Sequence, residues 1–120
     1  MDINDLVAQI VTLPRRFHSL GNISMFSLLE GTGYFGSYDQ ISEADIRAAL
    51  VRCPECVEEW IQYSENRRTC GWYVMKIDEA CCEIGHVTAR GDLQERRKYE
   101  HCTDACAAFV KHEIESIRLA

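Results

Sequence analysis

The chain has 120 residues, 47% of them hydrophobic and 27% charged, which is the composition of a single folded domain with one core. Its net charge of -6 argues against nonspecific binding to nucleic acid or to an anionic membrane surface, because both need a basic protein surface. We therefore predict one domain spanning residues 1–120, with neither nucleic acid nor membrane as a direct partner.

The first third of the chain predicts short helices separated by turns. Asp2 is placed to cap a first helix, which Pro14 interrupts. A turn ending at Ser24 precedes a second short helix, and the glycine-rich segment 31–36 then breaks the pattern. This segment lacks the lysine and serine or threonine of a phosphate-binding loop, so it predicts a turn.

Two consecutive helices are predicted in the middle of the chain. Ser42 and Asp45 have the spacing of a capping box, which opens a helix over residues 43–52. Pro54 suits the first turn of the next helix, over residues 54–66, so the two helices should meet at a corner containing Cys53.

The last third predicts strands followed by a helix. Segments 70–77, 80–87 and 95–100 are β-prone and separated by turns, which favours consecutive antiparallel pairing. Thr103 or Asp104 is placed to cap a terminal helix with one apolar face. The predicted fold class is α+β: several N-terminal helices, a small antiparallel β-meander and a C-terminal helix packed on the sheet.

The cysteines predict thiols rather than a disulfide framework. There are seven, an odd number, and the N-terminal sequence has no export signal, so we expect a cytoplasmic protein with reduced, mostly buried cysteines. Cys53 and Cys56 have the spacing of a zinc knuckle, but their candidate partners Cys102 and Cys106 are spaced as on a helix. We predict no metal and no cofactor, and keep a zinc-stabilised regulatory module as an alternative.

No catalytic arrangement is evident. Nucleophilic catalysis needs a cysteine or serine near a histidine and an orienting carboxylate. None of the four histidines stands in such a pattern, so the protein is predicted not to be an enzyme. A ligand-binding domain is the other alternative, and it would need a pocket that gathers Tyr34, Tyr38 and a histidine.

Acidic residues are concentrated in the middle of the chain, with few basic residues among them. Negative charge beside exposed aromatic side chains suits a binder of a cationic protein, because complementary charge speeds encounter and aromatic anchors supply affinity. The candidate binding residues are Asp39, Glu43, Asp45, Glu55, Glu58, Glu59, Tyr63 and Glu65.

The segment from Ile41 to Val74 has an acidic helix leading into Trp60, the run YSENRR at residues 63–68 and the run GWY at residues 71–73. In this pattern the chain resembles the small immunity proteins of bacterial contact-dependent inhibition and related polymorphic toxin systems. The resemblance implies a non-catalytic cytoplasmic protein that binds a cognate toxin domain, often a basic nuclease, and blocks its active site or substrate groove. Arg67 and Arg68 are expected to bond the carbonyls at the helix end.

Overall fold

The computed structural model describes residues 2–66 and 70–120, so the predicted role of Arg67 and Arg68 lies outside the described residues. Among the residues described, no helix combines the length and the apolar character needed to cross a membrane.

The described residues form six α-helices. They are α1 (Ile3–Val11), α2 (Leu13–Leu20), α3 (Met25–Thr32), α4 (Glu43–Arg52), α5 (Pro54–Asn66) and α6 (Cys102–Leu119), with single 3-10 turns at Tyr34–Gly36 and Tyr38–Gln40. The predicted caps are confirmed at Asp2, at Ser24 and at the Ser42/Asp45 capping box. The corner between α4 and α5 also falls at Cys53, as predicted.

Helix α2 was not predicted from the sequence. Its first turn contains Pro14, and it ends at Gly21, whose φ of 73° places it in the left-handed region that favours glycine. Pro14 therefore lies in the first turn of a second helix and not in a loop. The consequence is a helix lying against α5, which creates a groove described below.

Three antiparallel strands form a sheet in the order β1-β2-β3. The strands are β1 (Gly71–Lys76), β2 (Cys82–Val87) and β3 (Leu93–Tyr99), so the predicted meander is confirmed and the fold class is α+β. The β2–β3 pairing is interrupted between Ile84 and His86, where Glu95 on β3 has a φ of 53°. A bulge of this kind shifts the side chains of one strand relative to its neighbour.

Helix α6 covers one face of the sheet, again as predicted. Trp72 of β1 stacks on His112 of α6 with ring centroids 3.9 Å apart, and Val74 of β1 is buried. The predicted cap of this helix is wrong, because the helix starts after His101 and Thr103 and Asp104 lie inside its first turn. Asp104 instead forms an ion pair with Arg47 of α4.

The core is centred on Trp60 of α5, whose side chain is fully buried. Its indole Nε1 donates a 3.0 Å hydrogen bond to the carbonyl oxygen of Val11, and its ring meets Phe109 of α6 edge to face at 6.0 Å. This buried ring, with its one polar atom bonded, connects α5 both to α1 and to α6. Replacement of such a side chain by alanine typically costs about 3–5 kcal/mol.

Four of the cysteines that we expected to be thiols are paired in disulfide bonds in the structure. Cys53 is bonded to Cys56, and Cys82 of β2 is bonded to Cys102 at the start of α6. Cys106 is a buried thiol as expected, and burial raises its pKa. The second bond joins residues that meet only because α6 folds back across β2, so their separation in sequence concealed it.

Candidate binding surface on helix α5

Helix α5 carries an acidic row on its outer side. Cys56, Val57, Trp60 and Ile61 point into the core, whereas Glu55, Glu58 and Glu65 are exposed. The side-chain periodicity of a helix produces this separation, since residues three, four and seven apart share a face. Four carboxylates therefore lie on one helix whose described residues include no basic side chain.

Two of these carboxylates form ion pairs with neighbouring elements. Glu59 accepts two hydrogen bonds from the Arg15 guanidinium of α2, at 3.0 and 2.8 Å, and this pairing raises the pKa of Arg15. A carboxylate oxygen of Glu58 lies 2.8 Å from Nζ of Lys76 on β1. The hydrogen bond between them raises the pKa of Lys76. Both pairs are solvent-exposed, so they contribute little to stability and leave Glu58 accessible.

Glu55 and Glu65 carry no ion pair within the described part of the chain, and both are exposed. They lie ten residues apart on α5, which corresponds to roughly 15 Å along the helix axis. We call these two residues, together with exposed Glu58, the α5 acidic row.

Tyr63 contributes its ring, but not its hydroxyl, to the outer surface. The hydroxyl donates a 2.8 Å hydrogen bond inward to the carboxylate of Glu113 on α6, which is fully buried. The ring contacts Trp60 on one side and meets Phe17 of α2 edge to face at 6.0 Å. A ring fixed at both ends in this way has little conformational entropy left to lose on binding a partner.

An open groove of about 580 Å³ lies between α2 and α5. It combines apolar surface with polar side chains, and 38% of Phe17 is exposed to solvent at its edge. The lining residues of this α2–α5 groove are Pro14, Phe17, His18, Gly21, Glu59, Gln62, Tyr63 and Asn66. Sequence reasoning missed Phe17 and His18, although Pro14 and Gly21 are the start and stop signals of the helix that carries them.

The eight predicted binding residues lie on three different elements. Glu55, Glu58, Glu59, Tyr63 and Glu65 share α5, whereas Asp39, Glu43 and Asp45 lie at the opposite end of α4 from the corner with α5. Helix α4 has ten residues, so its first turn lies roughly 15 Å from its other end along the helix axis. Asp45 is also engaged, because its carboxylate accepts hydrogen bonds from the backbone and hydroxyl of Ser42.

Tyr34 and Tyr38, the two tyrosines of the predicted ligand pocket, line neither the α2–α5 groove nor the groove between α1 and α4. Tyr34 is fully buried, its hydroxyl donates to Glu115 at 2.7 Å, and it accepts from Nζ of Lys111 at 3.0 Å. The Arg118 guanidinium lies 3.7 Å from the centroid of the Tyr38 ring. These side chains attach the glycine-rich segment to α6.

The cysteines proposed as zinc ligands are divided between the two disulfides, apart from buried Cys106. Within residues 2–66 and 70–120, no three histidine, cysteine or acidic side chains are grouped so that they could hold a metal ion.

A second polar cluster, which sequence reasoning also missed, lies on the sheet face opposite α6. The Tyr73 hydroxyl donates a 2.6 Å hydrogen bond to Glu83, whose carboxylate also accepts from the Arg96 guanidinium at 3.2 and 3.3 Å. The hydrogen bond from Tyr73 lowers the pKa of Glu83 most, and those from Arg96 lower it further. Burial raises the pKa of Tyr73 to about 12. One side chain from each strand takes part, so the cluster connects the three strands.

Comparison of the chain with protein-family models, with curated proteins and with solved structures finds no match. The functional argument therefore depends on the α5 acidic row and the α2–α5 groove.

Proposed function

We propose that the protein is a non-catalytic immunity protein that binds a cognate toxin domain and covers its active site or substrate groove. The observation that carries this proposal is the position of the aromatic α2–α5 groove directly beside the α5 acidic row. An aromatic anchoring site with a charged rim is the arrangement found at the energetic centre of many protein interfaces.

The negative charge of the α5 acidic row favours a basic partner, and a nuclease is basic where it holds phosphate. In this proposal Glu55, Glu58 and Glu65 face that basic groove in place of nucleic-acid phosphates, and an apolar side chain of the toxin enters the α2–α5 groove and packs against Phe17 and Tyr63. Glu59 retains its pair with Arg15 and shapes the groove wall. The residues on α4 lie outside this first contact.

The proposed compartment is the cytoplasm, where a nuclease toxin would act. A reducing cytoplasm keeps cysteines as thiols, whereas the structure contains two disulfides. Alkylation of the cysteines at the moment of cell lysis therefore tests the compartment. Both pairs should be found mainly as thiols in protein taken from its host, and complete oxidation there would argue for an oxidising compartment.

The function is tested by co-expression with the toxin domain encoded beside this gene. That domain alone should arrest bacterial growth, and the present chain should restore it. Absence of a neighbouring toxin gene, or failure to restore growth, would contradict the assignment.

The binding surface is tested by a charge-reversed double variant, Glu55→Lys with Glu65→Lys. The matched control is Glu30→Lys with Glu100→Lys, since both residues are exposed away from α5 and the net charge changes equally. At low ionic strength the α5 variant should lower the association rate with the toxin domain by about tenfold or more, and the control much less. Equal effects of the two variants would remove the α5 acidic row from the interface.

The alternative of a ligand-binding module has one supporting observation, the volume of the α2–α5 groove, about 580 Å³, which lies in the range of small-molecule sites. A fragment screen by NMR tests it. Saturable shifts confined to residues lining the groove would favour this function.

A further inference from the structure

A disulfide bond joins Cys53 to Cys56 at the N-terminal end of α5. It spans the corner where α4 ends and α5 begins, and its two cysteines are separated by Pro54 and Glu55 alone. Two cysteines with this spacing, the first directly preceding a helix, are the arrangement in which disulfides commonly exchange with external thiols.

The two sulfurs differ in accessibility. Cys56 is fully buried in the core, whereas Cys53 is half-buried and lines a groove of about 190 Å³ between α1 and α4. The groove also contains Thr12 and Arg52, so its wall is partly polar. A thiolate that approaches this corner therefore contacts Cys53, which is partly accessible, and cannot reach Cys56.

The second disulfide supplies an internal comparison. Cys82 and Cys102 are 20 residues apart in sequence, against three for Cys53 and Cys56. In the chain-entropy description, a bond that closes a longer loop removes more freedom from the unfolded chain and so resists reduction more strongly. The bond at the corner should therefore be the weaker of the two.

We propose that Cys53 and Cys56 form a thiol–disulfide exchange site whose substrate is an external dithiol, with Cys53 as the sulfur that is attacked. One thiolate of the dithiol bonds to Sγ of Cys53, the Cys53–Cys56 bond breaks, and Sγ of Cys56 leaves with the electron pair and takes up a proton. The second thiol of the dithiol then attacks its partner in the mixed disulfide and releases Cys53 as a thiolate. Two electrons pass to the protein, and the dithiol becomes a disulfide.

The first test is a redox titration of the native chain in mixtures of reduced and oxidised dithiothreitol. Free thiols are alkylated, and the state of each pair is read by peptide mass spectrometry. Each bond is half reduced at some ratio of reduced to oxidised dithiothreitol. This ratio should be about tenfold lower for Cys53–Cys56 than for Cys82–Cys102, because the two bonds close loops of different length. Reduction of Cys82–Cys102 at the same or a lower ratio would overturn the proposal.

The second test identifies the attacked sulfur. In a background of Cys70→Ala with Cys81→Ala, which removes two thiols that are not fully buried, Cys56→Ser leaves Cys53 available and Cys53→Ser leaves Cys56. With oxidised glutathione, the variant that keeps Cys53 should form the mixed disulfide several times faster. Equal rates would overturn the proposal, and if either variant fails to fold, the titration of the native chain decides alone. Neither result bears on binding by the α5 acidic row.

Discussion

The hydroxyl of Tyr63 lies 2.8 Å from a carboxylate oxygen of Glu113 and donates to it. Glu113 has no solvent-exposed surface, so its buried carboxyl group takes a hydrogen bond from the helix that also carries the candidate binding surface. Tyr63 consequently has two roles that a single substitution can separate. Its ring faces the α2–α5 groove, and its hydroxyl supports the core.

Tyr63→Phe should lower the free energy of unfolding by about 1–3 kcal/mol, because it removes a donor from a buried carboxylate. Binding to the toxin domain should change little, since the ring is retained. Urea denaturation measures the first effect and association kinetics the second. Tyr63→Ala should impair both, and a Tyr63→Phe variant of unchanged stability would show that the hydrogen bond contributes nothing.

Local signals explain why α4 and α5 were predictable from the sequence. Ser42, Asp45 and Pro54 act within a few residues of the helix ends they define, so their effect does not depend on the rest of the fold. The meander was predictable for a similar reason, because short turns join strands that are consecutive in sequence.

The features that could not be predicted depend on elements distant in sequence. The α2–α5 groove requires a helix that begins at Leu13 to lie against another that begins at Pro54. Pairing of Cys82 with Cys102 requires α6 to cross β2. The division of the acidic residues into two sets follows from the direction of α4, which sequence spacing does not reveal.

The cluster on the outer sheet face illustrates the same limit at the level of strand register. Alternation along each strand would place Tyr73 and Glu83 on one face, but the bulge at Glu95 shifts β3 so that Arg96 faces them. A bulge depends on the pairing of two strands, and no single residue of β3 signals it. Two predictions concern this cluster.

The first concerns acid pH. The pKa of Glu83 is lower in the folded protein than in the unfolded chain, so its contribution to stability is full above the unfolded value of about 4.3 and is lost as pH falls through the folded value. Glu83→Gln should therefore flatten the decline of unfolding free energy between about pH 5 and pH 3. Urea denaturation across that range measures the slope. Identical slopes in the two proteins would show that Glu83 is not perturbed.

The second prediction concerns Gly85 of β2, which lies beneath the Tyr73 ring. A Cβ built on Gly85 would lie 2.5 Å from the Tyr73 hydroxyl oxygen and 2.7 Å from two of its ring carbons, so the ring crosses the strand where only glycine leaves room. Gly85→Ala should lower the free energy of unfolding by about 1–3 kcal/mol, because the ring must move and its bond to Glu83 is lost.

Gly31 supplies the matched control for that substitution. It lies within α3, and an added Cβ would meet nothing within 4 Å, so Gly31→Ala should raise stability by about 0.5–1 kcal/mol through helix propensity. In a Tyr73→Val background the cost of Gly85→Ala should largely disappear, since the obstructing ring is gone. A cost that persists there would place the effect in the strand backbone instead.

The bond between Cys82 and Cys102 attaches the start of α6 to the central strand, and its sulfur on the β2 side is fully buried. Cys82→Ala with Cys102→Ala should lower the free energy of unfolding by about 3 kcal/mol, as expected for a loop of this length. Cys53→Ala with Cys56→Ala should cost less, because that bond closes a much shorter loop and so restricts the unfolded chain less. Thermal and urea unfolding of the two double variants, each compared with the oxidised parent, measures the difference. Equal losses would show that local packing around the sulfurs, and not loop closure, determines what each bond contributes.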